Sequence, residues 1–179
     1  MKHETIANQP VIQTRRFALR PLQKSDAGLL ELHASDARIA NASRTIPHPL
    51  PPGITEDFIA RVQAGESNQH VWIMDGSAQS HAELLGLVCL EDINGDQSEI
   101  SYWVAPAFWN TGYASEAIHA ILDANPDGCK SIFAQVFQDN PASARVLTNA
   151  GFEYIGDAET FSVARGANVA TWTYIKKLD

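Results

Sequence analysis

The sequence predicts a mixed α/β (α+β) domain in which one sheet of parallel and antiparallel strands packs against helices. Apolar runs typical of strands occur before and after segments with helical apolar spacing. The helix predicted at 114–122 joins two such runs, and we expect it to form a right-handed crossover between parallel strands. The 179 residues, 45% of them hydrophobic, suffice for one core, so we expect a single domain at 14–179 after a flexible segment at 1–13.

The first part of that domain is predicted to contain one strand and two helices. A strand at 17–20 leads to a helix that starts at Ser25–Asp26. Four of the nine prolines then fall within 47–52, which favours an extended loop between 36 and 53 that is able to cover a site. Thr55 is the expected N-cap of the second helix.

The middle of the chain is predicted to form an antiparallel meander. Its three strands are expected at 70–74, 84–90 and 99–104, with Gly86 marking a bulge where pairing loosens. The crossover helix follows. The elements predicted after it are a strand at 131–137, a helix at 141–150, and strands at 152–155 and 170–175 separated by a loop that contains Gly156 and Gly166. The sheet then has about seven strands, flanked by about four helices.

Composition excludes several classes of function. The net charge of −8 and the isoelectric point near 5.1 disfavour nucleic-acid binding and favour an amine-bearing partner. Cys89 and Cys129 are too few for a disulfide framework, which suits a reducing compartment. Without an apolar run of about 18 residues or an N-terminal apolar leader, we expect a cytoplasmic protein that does not bind membranes, either a monomer or a homodimer.

Several well-known catalytic motifs are missing from the sequence. His81 and Glu83 have the spacing of a zinc-deaminase signature, but the accompanying Pro-Cys-x-x-Cys is absent, so we expect no metal site. There is also no Gly-x-Ser-x-Gly, Walker or Gly-x-Gly-x-x-Gly motif. Acyl-serine hydrolysis, nucleotide hydrolysis and Rossmann-type dinucleotide binding therefore lack their characteristic residues.

A glycine turn at 109–116 runs into the crossover helix. The first N–H groups of a helix have no partner within it and lie at the positive end of its dipole, so they can bind a diphosphate. Gly112 allows the backbone to approach such a ligand closely. An ordinary strand-to-helix turn explains the same residues equally well.

Two further groups of residues can carry chemistry. Asn140 is the expected N-cap of the helix at 141–150, and Ser143 lies in its first turn; both are explained by capping alone but would flank the same cleft. Glu91 ends a strand and can accept a proton there, although a solvated strand end explains it too. Glu99 is a second candidate base, which cross-strand pairing also explains.

Together these segments resemble the GNAT acyltransferases of the RimJ/RimL type. The likeness covers about residues 14–178 and is carried by 14–22, 102–117, 140–147 and 150–152. It implies the GNAT fold, with a V-shaped splay between strands 4 and 5 that holds acetyl-CoA, here assigned to the strands ending near Leu90 and Val104. No metal is implied.

The resemblance also implies roles for individual residues. The amides from Asn110 to Ser115 would bind the pyrophosphate, Asn140 would contact the pantetheine arm, and the backbone of 87–90 would hold the pantetheine amides and the acetyl carbonyl. Glu91 would act as base and Ser143 as acid. The implied cofactor contacts are Leu87, Val88, Cys89, Leu90, Val104, Trp109, Asn110, Thr111, Gly112, Tyr113, Ala114, Ser115, Asn140 and Ser143.

Two positions depart from the family pattern. Trp109 replaces the usual glutamine or arginine that opens the pyrophosphate loop, which removes a side-chain phosphate contact but leaves the backbone amides. Leu147 occupies the position where many GNAT enzymes have a tyrosine acid, whereas Ser143 matches the serine proposed in RimJ/RimL-like members.

The acceptor is expected to be a primary amine. An α-amine with a pKa of about 7.7–8.0 is favoured, because deprotonating a lysine ε-amine requires about 3.4 kcal/mol more. A polyamine or antibiotic-amine acetyltransferase is the alternative enzyme, and the acidic composition suits it. A non-catalytic acyl-CoA-binding module is the alternative outside enzymes.

Overall fold

The computed structural model describes residues 9–178, which form one eight-stranded sheet with helices on both faces. The strand order across the sheet is β1-β2-β3-β4-β5-β6-β8-β7. The strands are β1 (Ile12–Gln13), β2 (Ala18–Pro21), β3 (Gln69–Asp75), β4 (Gly86–Asp92), β5 (Gln97–Val104), β6 (Ser131–Phe137), β7 (Glu153–Ser162) and β8 (Ala167–Lys177). The α-helices are α1 (Ala27–Ala34), α2 (Ala37–Ala42), α3 (Ile54–Gln63), α4 (Tyr113–Ala124) and α5 (Pro141–Asn149).

The predicted mixed sheet is confirmed. β1 to β5 pair antiparallel in chain order, and α4 then carries the chain to β6, which lies parallel to β5. β8 pairs antiparallel with β6, and β7 forms the outer edge. The helices cover the sheet with two apolar clusters, one beneath α4 and α5 and one beneath α1 and α3. No helix within 9–178 has the length and apolar character needed to cross a bilayer.

The sheet opens between β5 and β6, not where the sequence placed the gap. These strands pair at only three positions, from Gln97–Ser131 to Glu99–Phe133, and then separate. The strands ending near Leu90 and Val104 are β4 and β5, which pair along the whole of β4. A tight turn joins β4 to β5 and holds them in register, whereas the long crossover from β5 to β6 lets their C-terminal ends diverge.

Four smaller expectations also change. The stretch between 36 and 53 contains α2, capped by Asp36, whose side chain accepts from Arg38 N. The loop expected around Gly156 is strand, because β7 pairs with β8 as far as Ser162. Pairing does not loosen at Gly86, which stays in register on both sides. The α3 N-cap is Gly53 instead of Thr55, which is buried.

The segment at 1–13, expected to be flexible, is described by the structure only from residue 9. Residues 1–8 of the segment expected to be flexible lie outside the described part. Ile12 pairs with Leu19, and the indole of Trp72 donates to Pro10 O at 3.0 Å. Hydrogen bonding to the domain therefore begins before residue 14.

Candidate active site

The turn before α4 presents a row of unpaired amides to the surface. Asn110 and Gly112 adopt left-handed backbone conformations with φ of 60° and 82°, and Asn110, Thr111 and Gly112 are exposed. Among the described residues, the N–H groups of 110–115 find no hydrogen-bond acceptor, while Glu116 N donates to Gly112 O and continues the helix. A positive helix end with this many free donors is suited to a diphosphate.

Arg16 braces this turn from the β1–β2 connection. Its Nη1 donates to Thr111 O at 2.8 Å, and its Nε donates to Glu116 Oε1 at 2.7 Å. The guanidinium carbon lies 4.2 Å from the centre of the Tyr113 ring. The turn is thus held in shape by a charged side chain, and Gly112 keeps the space next to Arg16 free of a Cβ.

One side of the gap is lined by peptide groups of β5. Ala105 N donates to Leu85 O on the β4 side. Hydrogen-bonding direction alternates along an antiparallel strand, so the peptide groups of Tyr102 and Val104 point toward β6. The indole of Trp109 donates to Val104 O at 2.6 Å at the wide end of the gap.

The backbone of β4 was expected to hold the pantetheine, and the sheet contradicts this. Residues 87–90 pair with β3 on one side and with β5 on the other, so the ladders use their peptide groups. The side chains of Leu87, Val88, Cys89 and Leu90 are buried in the two cores. Unpaired backbone that can bind an extended ligand therefore lies on β5, one strand further along the sheet.

The start of α5 lies across the gap from β5. Asn140 caps the helix as expected, its Oδ1 accepting from Ser143 N at 3.4 Å. Ser143 Oγ lies 2.7 Å from the phenol oxygen of Tyr102, which also approaches Ser143 O at 3.2 Å. Burial raises the pKa of Tyr102 to about 12, against a lowering contribution from Ser143. Sequence reasoning missed this contact, which joins residues 41 positions apart.

The opposite face of β5 carries Glu99, Ser101 and Trp103. Ser101 is exposed although β5 is a central strand, so this face of the sheet is uncovered at that position. Glu99 sits at the last paired position before the gap and is largely buried. Burial raises its pKa, Arg44 lowers it, and Glu91 raises it; the net shift is upward.

Glu91 and Glu99 are cross-strand neighbours on this face. Glu91 is exposed, and its Oε2 accepts from Gln69 Nε2 at 3.4 Å. The Nη2 atom of Arg44, from the segment after α2, lies 2.8 Å from Glu99 Oε1. The sequence singled out both carboxylates, but nothing in the pattern around 44 pointed to its arginine.

Within 9–178, no three His, Cys, Asp or Glu side chains come close enough to hold a metal ion. Cys89 and Cys129 are free thiols, both buried. Burial raises the pKa of the Cys89 thiol to about 12, and Glu91 adds to the increase.

A family model for the acetyltransferase (GNAT) domain matches residues 16–153, about three quarters of the chain. The chain belongs to the GNAT acetyltransferase family. A curated relative, the uncharacterized N-acetyltransferase YoaA of Bacillus subtilis, is 34% identical over 80 residues. That match covers 44% of this chain and 45% of the relative, less than half of either.

Solved structures share the GNAT fold at low identity. An acetyltransferase of this family from Bacillus anthracis superposes with a TM-score of 0.78 at 20% identity, covering 94% of this chain and 98% of that one. RimL, a ribosomal L7/L12 α-N-protein acetyltransferase in complex with coenzyme A, gives 0.80 at 16%, covering 95% and 99%. Spermidine N-acetyltransferase from Vibrio cholerae, in complex with CoA and spermine, gives 0.73 at 19%, covering 89% and 95%.

Proposed function

We propose that this GNAT protein transfers the acetyl group of acetyl-CoA to a primary amine by direct attack. One observation carries the proposal: the free amides of 110–115 lie beyond the open end of the β5–β6 gap, and Glu99 stands where that gap begins. A diphosphate at the turn is stabilised by the helix dipole. A thioester arm running along β5 then brings the acetyl group toward Glu99.

The residues present fit the cosubstrate. The amides of 110–115 would bind the pyrophosphate, and Gly112 leaves the backbone accessible there. The peptide group of Tyr102 and the N–H of Val104 would pair with the pantetheine amides as a sheet pairs with an added strand, while Val104 O already accepts from the Trp109 indole. Asn140 would contact the same arm from α5.

Glu99 is the stronger candidate base. The attacking nitrogen must lose a proton, and a carboxylate whose pKa is raised binds that proton more readily than an ordinary one. Glu91 is exposed, and we assign it an electrostatic role, since its negative charge contributes to the raised pKa of Glu99. Removing a positioned base typically costs about 10²–10⁴ in rate.

Ser143 is the candidate hydrogen-bond donor to the leaving thiolate. As the new C–N bond forms, the C–S bond breaks and its electron pair goes to sulfur, which accepts a hydrogen bond from Ser143 Oγ. A thiol with a pKa of about 8.5 leaves readily near neutrality. Loss of Ser143 is therefore expected to be milder than loss of Glu99.

An N-terminal α-amine, as in RimJ/RimL-type enzymes, is the favoured acceptor. A single carboxylate base can deprotonate an amine of pKa about 7.7–8.0 far more easily than a lysine ε-amine of about 10.4. The open face beside Ser101 is accessible from solvent, as a chain end requires.

A polyamine is the second candidate acceptor, and the Glu91–Glu99 pair favours it. Two neighbouring carboxylates on one face attract a substrate with several positive charges. Turnover of spermidine exceeding that of peptides would select this alternative.

The test measures CoA release from acetyl-CoA with peptides, amino acids and polyamines. The parent is compared with Glu99→Gln, Glu91→Gln and Ser143→Ala, with Glu66→Gln at an exposed site after α3 as the control. We expect Glu99→Gln to lose about 10²–10⁴ in kcat, and Glu91→Gln to retain most of it. No release with any amine, despite binding of acetyl-CoA, would contradict the proposal and indicate a binding module.

A further inference from the structure

Tyr102 and Ser143 form a hydrogen-bonded pair across the β5–β6 gap. The phenol oxygen lies 2.7 Å from Ser143 Oγ and 3.2 Å from Ser143 O. Tyr102 comes from a central strand and Ser143 from the first turn of α5, so the contact links β5 to the helix that follows β6. Packing alone does not require a polar contact here, because Tyr102 lies against the apolar cluster beneath α4 and α5.

The two hydroxyls can share their hydrogens in two ways. In one arrangement, Ser143 donates to Tyr102 and Tyr102 donates to Ser143 O. In the other, Tyr102 donates to Ser143 Oγ, which leaves the serine hydrogen free to point elsewhere. Only the second arrangement offers a donor to a ligand atom in the gap.

We propose that Tyr102 is a positioning residue for Ser143: its phenol donates to Ser143 Oγ and so directs the serine hydrogen at the thioester sulfur. This inference rests on the proposed acetyl transfer. A developing thiolate favours the second arrangement, because its negative charge is stabilised by a hydrogen bond donated by the serine hydroxyl. With the phenol holding Ser143 Oγ in place, only the hydroxyl hydrogens change direction when the serine donates to the thiolate.

The pair supplies a hydrogen bond, and no proton leaves the phenol. Burial raises the pKa of Tyr102 to about 12, above the value of about 8.5 for an ordinary thiol. Transfer of the phenol proton to the thiolate is therefore uphill. The thiolate departs with its electron pair, hydrogen-bonded to Ser143, and takes its proton from solvent.

Other hydroxyls do not offer the same arrangement at the start of α5. Thr148 Oγ1 donates to Ala144 O and Arg145 O within its own helix. Leu147 is apolar and fully buried. Among the described residues of this helix, Ser143 is the hydroxyl with a partner on the facing strand.

The first experiment is a double-mutant cycle. Tyr102→Phe is expected to lower kcat by about threefold to tenfold, the effect of one hydrogen bond, with little change in KM for acetyl-CoA. Added to Ser143→Ala, it is expected to cause no further loss. Tyr154→Phe, which removes an exposed phenol hydroxyl bonded to Asp157, is the control. Equal losses in both backgrounds, or a change in KM alone, would overturn the inference.

A second measurement is independent of turnover. The thiol of bound CoA is titrated by the ultraviolet absorbance of its thiolate; Cys89 and Cys129 interfere little, since burial raises both of their pKa values. We expect the parent to lower the pKa of bound CoA and both variants to reverse most of that shift. An unshifted thiol in the parent overturns the inference even if Tyr102→Phe fails to fold. A parent that lowers this pKa but transfers no acetyl group would contradict only the proposed function.

Discussion

Arg44 and Glu99 form an ion pair on the open face of the sheet, with Nη2 2.8 Å from Oε1. Arg44 belongs to the segment after α2, and Val163 N, beyond the end of β7, donates to its carbonyl oxygen. The guanidinium lowers the pKa of Glu99 against the effect of burial, while Glu91 raises it. The positive charge of Arg44 and the negative charge of Glu91 thus shift the pKa of Glu99, the candidate base, in opposite directions.

Removing the charge of Arg44 and removing the charge of Glu91 are expected to move the pH profile of activity in opposite directions. Arg44→Met removes a lowering influence, so the pKa of Glu99 rises and the acid limb of kcat/KM moves to higher pH. Glu91→Gln removes a raising influence, so the limb moves to lower pH. Arg61→Met, at an exposed position of α3, is the control. An acid limb that stays in place in both variants would show that Glu99 is not the base.

Glu116 is expected to stabilise the turn that precedes its helix. Burial raises its pKa, but hydrogen bonds from Thr14 and Arg16 outweigh this, and the net shift is downward. Glu116→Gln weakens these charged hydrogen bonds and is expected to cost about 1.5–3 kcal/mol in the free energy of unfolding. It also frees Arg16 from its position beside Thr111, so binding of acetyl-CoA weakens.

The pH dependence of stability separates this role from simple packing. A carboxylate with a depressed pKa stabilises the fold above its ordinary value of 4.5, and this contribution is lost as the pH falls through the depressed value. Urea unfolding at about pH 7 and about pH 3 is therefore expected to show a large difference between parent and Glu116→Gln at the higher pH and a smaller one at the lower. An equal difference in the free energy of unfolding at both pH values would contradict this stabilising role of the ionised Glu116.

Asp26 is expected to be essential for the packing of α1. Its side chain is fully buried and accepts from Arg20 Nη1 and Nη2 at 2.9 and 2.8 Å and from Gln23 N at 2.8 Å. Asp26→Asn leaves the guanidinium of Arg20 without this partner and is expected to cost about 3 kcal/mol. Asp36→Asn, which breaks an exposed pair with Arg38, is the control and is expected to cost far less. Comparable losses in the free energy of unfolding for the two variants, measured by chemical denaturation, would refute the special role of Asp26.

Gly86 is expected to tolerate no side chain. A Cβ there would lie 2.3 Å from Trp103 O and 3.0 Å from the Cα of Val104. Gly86→Ala therefore pushes β4 away from β5 and is expected to cost about 3 kcal/mol. Gly28→Ala is the control: no atom lies within 4 Å of its added Cβ, and a helical alanine is expected to stabilise α1 by about 0.5–1 kcal/mol. Thermal unfolding of both variants checks the contrast.

Local patterns predicted most of the sheet and helices, whereas pairing between distant strands required the structure. The apolar spacing at 114–122 and the capping residues around 140 identified α4 and α5, because these signals lie within a few neighbouring residues. The position of the gap depends on where β5 and β6 stop pairing, which no local pattern encodes.

The same limit applies to the candidate site. The turn at 109–115 could be found from Gly112 and the helix that follows it. Glu91 and Glu99 both ranked as candidates, and only burial beside Arg44 distinguishes them. Tyr102 was missed because its partner lies 41 residues away and on another element.

Calorimetric titration with acetyl-CoA and with acetyl-pantetheine, which lacks the diphosphate and the phosphoadenosine attached to it, tests the central claim most directly. If the main-chain amides of 110–115 bind the pyrophosphate, acetyl-CoA binds once per chain, and acetyl-pantetheine binds at least about a hundredfold more weakly, since several charge-assisted hydrogen bonds are lost. Equal affinities for the two ligands, or no heat of binding with acetyl-CoA, would contradict it.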